Sequence, residues 1–223
     1  MSIRSNLATL LADIPRECTL IAVTKTQPVE NIMEAYESGH KVFGENKVQE
    51  LVSKYESLPK DISWHLIGHL QTNKVKNAAP FVTLIHSVDS VRLLDEIGKQ
   101  ASKNNRVISC LLQVHIAEEE TKFGFSQQEV LDFVSSSAGA NLDHVKVTGL
   151  MGMATFSDNQ AQVRKEFRSL KKLFEKLRSG TLPSAIRMEQ LSMGMSGDYK
   201  IAIEEGSTMV RVGTAIFGER NQR

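Results

Sequence analysis

Eight short apolar runs, separated by longer stretches with helical spacing, limit most strongly what this chain can fold into. The runs are Leu20–Thr24, Lys41–Phe43, Trp64–Ile67, Thr83–His86, Ile108–Val114, Val147–Leu150, Met188–Leu191 and Met209–Val212. Continuous apolar runs, rather than alternating ones, mark strands buried on both faces, as in parallel sheets with helical crossovers. Helical patterns fill the gaps at Val29–Ser38, Glu45–Ser57, Asn73–Ala79, Ser90–Asn104, Gln127–Ser137, Asp158–Ser179 and Asp198–Glu205. Pro28 suits a first helical turn, and Ser90 and Asp198 stand where N-caps are wanted. Eight such units predict one α/β domain over residues 1–223, a (β/α)₈ TIM barrel. An open doubly wound sheet is the alternative. No internal repeat or low-complexity linker points to a second domain.

A chain of 223 residues can bury one large core. Its 27 Lys and Arg against 26 Asp and Glu leave a net charge of +1. No basic field therefore argues for nucleic acid or an anionic membrane. No apolar run is long enough to span a bilayer. The first 13 residues carry Ile3, Leu7, Leu10 and Leu11 at helical spacing, without the apolar core and cleavage site of a secretory signal. Cys18 and Cys110 lie far apart in apolar contexts, which fits buried thiols in a reducing compartment. A soluble, cytoplasmic protein is expected.

Barrels of this kind carry their chemistry just beyond the strand C-termini. Lys25 follows the first run, Gly44-Glu45-Asn46 the second, Gly68-His69 the third, and Ser87 and Asp89 the fourth. Lys122-Phe123-Gly124 follows the fifth, Met151-Gly152-Met153 the sixth, Ser192 to Ser196 the seventh, and Gly213-Thr214 the eighth. Each loop needs glycine and caps for its own sake; their joint placement on one rim is the functional signal. At the end of an apolar strand, Lys25 is either a snorkelling surface lysine or an amine whose pKa is lowered by desolvation. The second kind attacks carbonyls and forms Schiff bases. The last two loops offer hydroxyls and close backbone approach, the usual barrel phosphate site. Arg211 is costly inside an apolar run unless paired or used. It is either a buried ion-pair partner, with Glu189 or Glu204, or a donor to a ligand. His65 and His69 are spaced i, i+4 but need not share a face in a strand-and-turn region, no clustered Cys/His/Asp set supports zinc, and no GxxxxGK[ST] or GxSxG pattern occurs.

Six segments together resemble the pyridoxal phosphate homeostasis protein family. They are Ala22-Val-Thr-Lys-Thr-Gln-Pro28, Phe43-Gly-Glu-Asn-Lys-Val-Gln-Glu50, Trp64-His-Leu-Ile-Gly-His-Leu-Gln-Thr-Asn-Lys74, Gly149-Leu-Met-Gly-Met-Ala154, Leu191-Ser-Met-Gly-Met-Ser-Gly-Asp198 and Val210-Arg-Val-Gly-Thr-Ala-Ile-Phe-Gly218. The resemblance spans almost the whole chain. It implies an alanine-racemase-like barrel that binds pyridoxal 5′-phosphate on Lys25. It also implies a phosphate on Ser192, Gly213 and Thr214, Arg211 near the pyridine nitrogen, and Asn46 near the ring. The implied role is vitamin B6 and amino- and keto-acid homeostasis without established turnover.

An arginine facing the ring nitrogen has no acceptor and leaves that nitrogen unprotonated, so the ring is a poorer electron sink. Enzymes of the racemase fold also carry a second domain that completes their site, and this chain ends shortly after the eighth run. The expectation is a monomeric cofactor carrier that delivers to apo-enzymes. The competing readings are a minimal pyridoxal-phosphate-dependent amino-acid racemase and a sugar-phosphate enzyme with a lysine Schiff base.

Overall fold

The computed structural model describes residues 2–118, 123–136, 139 and 142–218. Eight parallel strands close on themselves in sequence order, with β8 hydrogen-bonded back to β1. The strands are β1 (Thr19–Val23), β2 (Val42–Glu45), β3 (Ser63–Leu66), β4 (Leu84–Val88), β5 (Ile108–His115), β6 (Val145–Met153), β7 (Ile186–Met195) and β8 (Met209–Val212). The helices are α1 (Ile3–Asp13), α2 (Val29–Glu37), α3 (Val48–Ser57), α4 (Val75–Ala78), α5 (Val91–Lys103), α6 (Gln127–Ser135), α7 (Gln160–Arg178), α8 (Tyr199–Glu204) and α9 (Thr214–Phe217). The closed barrel replaces the open-sheet alternative. Among the described residues, no helix is long and apolar enough to cross a membrane.

Period-two alternation along the strands builds two cores. Outward residues such as Leu20, Ala22, Phe43, Trp64, Ile85 and Cys110 pack against the helices. Inward residues Ile21, Leu84, Leu111, Met151 and Met209 fill the barrel itself. Ser90 caps α5 as expected, accepting from the Leu93 amide at 3.3 Å.

Three local expectations are corrected. Glu45 ends β2 instead of opening a helix, because β3 offers it Leu66 as a ladder partner. Met151 to Met153 and Ser192 to Met195 are strand residues rather than loop, since β5 and β8 continue the pairing as far as His115↔Met153 and Met195↔Arg211. Asp198 stands at the N-cap of α8 but does not cap it; its Oδ1 accepts from the Met195 amide at 2.5 Å and tightens the turn after β7.

Gly194 makes that turn possible. Its φ is +95°, and a Cβ there would lie 2.5 Å from the Cβ of Ala202. Only glycine accommodates both conditions. Gly68 is required by proximity alone, since a Cβ would lie 2.4 Å from the carbonyl oxygen of Asn46.

Candidate functional site

At the C-terminal mouth of the barrel lies a cavity of about 650 Å³, within the ~300–1,000 Å³ typical of small-molecule sites. Strand alternation determines which side chains reach it. On β1, Ile21 and Val23 point inward, and the next inward position is Lys25. On β2 the corresponding position is Asn46, two residues past Gly44. On β8, Arg211 and then Gly213 follow Met209. Lys25, Asn46, Arg211, Gly213 and Thr214 all line this one cavity. Met153 to Asp158 and Met195 to Asp198 supply most of the remaining wall, with Val23, Gln27, Ile67 and Gly218.

Ser192 occupies a different place from the one expected. It is fully buried, outside the cavity lining, and its Oγ accepts from Arg211 Nη1 at 2.5 Å. A phosphate at the mouth would meet Ser196 instead, four residues further on and just past the end of β7. Ser196 Oγ accepts from the Gly213 amide at 3.2 Å, which leaves its own proton to donate. The pattern Ser-x-x-x-Ser held this signal, but a strand reading was needed to tell which hydroxyl reaches the rim.

Arg211 is 4% exposed. Burial pushes its guanidinium down to about 10, with Asp198 acting in the opposite direction, so it stays charged at neutral pH. Neither ion-pair candidate meets it. Glu189 faces solvent beside Arg187, and Glu204 pairs with Arg164 on the outer helices. Arg211 instead donates to Ser192 and, through Nη2, to the Gly152 carbonyl at 3.1 Å.

Below Arg211 a line of hydrogen bonds runs down the barrel interior. Ser192 Oγ meets His86 Nδ1 at 2.9 Å, His86 Nε2 meets His65 Nδ1 at 3.0 Å, and His65 Nε2 meets Ser63 Oγ at 3.3 Å. Guanidinium only donates, so Ser192 accepts from it and is free to pass its own proton downward. The arrangement that uses every proton then has both imidazoles protonated on Nε2, an assignment made from the network. Burial lowers the His65 pKa to about 4. His86 is held well below its usual range by burial, with His65 and Arg211 adding to the effect. Isolated apolar-run histidines carry no sequence signal for such a line, because its links come from three different strands.

His69 and His65 do not share a face. His69 is at the rim, 3.0 Å from Asp89 and stacked on Phe123 at 4.3 Å. No cluster that could hold a metal occurs among the described residues. Lys122 lies outside the described residues. Cys18 and Cys110 are buried free thiols. Behind the cavity wall, Glu166 on α7 accepts from the Thr155 amide at 2.7 Å and its hydroxyl at 2.8 Å, fixing the β6 loop.

The donor set fits an aldehyde-bearing anionic cofactor: an amine and a buried cation share one cavity with the hydroxyls of Ser196 and Thr214.

Comparison with known proteins agrees. The sequence profile of the alanine racemase N-terminal domain matches residues 1–221. The pyridoxal phosphate homeostasis protein of Aquifex aeolicus is 46% identical over 202 residues, covering 90% of this chain and 86% of that one. The protein of the same name from Haemophilus influenzae is 38% identical, covering 99% and 97%. The structure of PipY from Synechococcus elongatus with PLP bound superposes with a TM-score of 0.86 at 34% identity, covering 97% of this chain and 100% of that one. Alanine racemase of Clostridium difficile shares the fold, with a TM-score of 0.76 at 14% identity over 60% of its own length.

The neutral histidines set an acid limit on stability. Burial lowers His40, His65 and His86 alike. The unfolded chain takes up protons near the ordinary 6.5 while the folded chain refuses them. Stability is therefore full above that pH and lost as pH falls toward 4. His65 alone accounts for a loss on the order of 3 kcal/mol across the window. Urea unfolding at pH 7 and pH 4.5 should show a smaller acid loss in His65→Phe than in the wild type. Equal losses would show that His65 binds its proton in the folded state.

Proposed function

The chain belongs to the pyridoxal phosphate homeostasis proteins, within the alanine racemase N-terminal domain family, and from that membership we propose that it binds pyridoxal 5′-phosphate as a covalent imine on Lys25 and hands it to apo-enzymes. The observation that carries the reading is the convergence of Lys25, Arg211, Ser196, Gly213 and Thr214 on one cavity. The Lys25 amine adds to the aldehyde carbon, water leaves with the carbonyl oxygen, and C=N replaces C=O. Hydrolysis reverses the step and frees the aldehyde for transfer. Ser196, Gly213 and Thr214 take the phosphate. Asn46 lies beside the ring, and Arg211, held by Ser192, faces the pyridine nitrogen.

The same arginine argues for carriage rather than turnover. A permanent donor at the ring nitrogen cannot protonate it into a strong electron sink. The site of action on this reading is the cell interior, with apo pyridoxal-phosphate enzymes as recipients.

Borohydride treatment of the cofactor-loaded protein, followed by peptide mapping, should label Lys25. Label at Lys47, Lys74 or Lys122 instead would move the site.

Ser196→Ala and Thr214→Ala should each weaken cofactor binding by roughly 1.5–3 kcal/mol, the range for hydrogen bonds to a charged group. Pyridoxal without its phosphate should bind far more weakly than the phosphorylated form. Equal affinity for the two aldehydes would remove the phosphate site.

In deuterated water, L- and D-amino acids should exchange their Cα protons no faster with the loaded protein than with free cofactor. A positioned general base is typically worth about 10²–10⁴-fold. Exchange accelerated on that scale and abolished in Lys25→Ala would instead identify a minimal racemase.

A further inference from the structure

Behind Lys25, on the outer face of the barrel wall, lies a buried cluster that the cavity does not include. Lys54 on α3 is 5% exposed, an unusual place for an ammonium. Its Nζ donates to the Thr24 carbonyl at 2.7 Å, to Glu45 Oε1 at 2.6 Å and to Glu50 Oε1 at 2.6 Å. All three ammonium protons are therefore placed. Glu50 Oε1 in turn accepts from the Thr26 amide at 2.6 Å. The Thr24 hydroxyl also donates to Glu45 Oε1.

The two backbone groups held here are the ones that flank Lys25. The Thr24 carbonyl belongs to the peptide plane before Lys25, and the Thr26 amide to the plane after it. Rotation of those planes is the φ and ψ of Lys25, which set the direction of its Cα–Cβ bond. Thr26 itself has φ +64°, a costly conformation for a β-branched residue that persists only where surrounding contacts enforce it. Ordinary strand ends fray; this one is clamped on both sides by a single buried charge cluster. A helix lysine buried against two carboxylates is more than barrel packing demands, since apolar residues there would avoid the desolvation cost.

We infer that Lys54, with Glu45 and Glu50, is a positioning residue that fixes both peptide planes of Lys25 and thereby aims its amine into the cavity. The inference rests on the reading of Lys25 as the imine-forming lysine. Lys54→Met keeps the length of the side chain and removes the ammonium. Titrated with pyridoxal 5′-phosphate, this variant should form the visible imine band with roughly tenfold weaker apparent affinity, a coupling of the size seen between residues in one polar network. Its borohydride-trapped label at Lys25 should fall in step. In a Lys25→Ala background the same substitution should leave the residual, noncovalent affinity for the cofactor unchanged, measured by equilibrium dialysis. Glu50→Ala removes the Thr26 arm and one of the three Lys54 contacts, at a carboxylate that is 25% exposed; it leaves Lys54 on the Thr24 carbonyl and Glu45 and should weaken imine formation in the same direction even if Lys54→Met does not fold. Equal imine affinity in Lys54→Met or Glu50→Ala and the wild type would overturn the inference. So would an equal loss of affinity with and without Lys25, because that marks general damage to the cavity. A wild-type chain that takes no label at Lys25 would overturn the reading of Lys25 itself and the role of Lys54 with it.

Discussion

The pairing of β1 with both β8 and β2 is the constraint on which the site depends. Ile21 stands opposite Arg211 and Ala22 opposite Val212 on one side, while Ala22 stands opposite Phe43 and Val23 opposite Gly44 on the other. Because parallel register fixes inward and outward faces together, these few ladder positions bring Lys25, Asn46 and Arg211 to the same mouth. A one-residue slip of β1 would turn Lys25 toward α3 and Thr24 into the cavity. The chain guards that register from the far side, where Thr24 meets Glu45 and Lys54. The same alternation that aims Lys25 inward therefore places the cluster that holds its backbone.

Arg211 sets the second condition. A guanidinium in the barrel interior would be expensive alone, since burial already pulls its pKa down to about 10. The barrel answers with neutral acceptors: the Gly152 carbonyl and Ser192, which leads into the two imidazoles. A carboxylate in Ser192's position would neutralise the cation and pull it downward, away from the cavity. Neutral acceptors hold its position while leaving its charge available to whatever occupies the mouth. Carrying two buried histidines as neutral bases costs stability only as pH falls below about 6.5.

Much of this was legible in the sequence. The eight strands sit within a few residues of the apolar runs, because strands buried on both faces leave no polar alternation to confuse them. Lys25, Asn46, Gly213 and Thr214 are legible as rim residues for the same reason, since each lies a short, countable distance past such a run; Arg211 is legible differently, as a cation inside the eighth run. Ser192 was misplaced because β7 runs four residues beyond its apolar stretch, and its extension depends on partners offered by β8 that no local pattern reveals. Glu45 opens the helical spacing that runs to Ser57; what makes it a strand end is tertiary, because its ladder partner Leu66 and its contacts Lys54 and Thr24 lie elsewhere in the chain. Nothing local sets Lys54 apart from a solvated helix lysine at i+4 from Glu50. Its burial is a property of α3 docking over the end of β1, which is tertiary information.

The distribution of charge also bears on how firmly an anionic ligand is held. On the proposed reading, the permanent cation lies deep, at the ring, whereas the phosphate meets the hydroxyls of Ser196 and Thr214 beside the Gly213 backbone, whose amide holds Ser196. A bidentate arginine on the phosphate would bind more tightly, because charge-assisted fork-to-fork pairs are the strong ones. Neutral donors give orientation with less binding energy, and on the same reading the proposed imine on Lys25 would supply the remainder through a bond that water can reverse. A site built to retain its cofactor through many turnovers gains from both strong elements. A site that must also release it gains from making the largest part of its hold chemically reversible, and for that the geometry of one lysine matters more than the number of phosphate contacts.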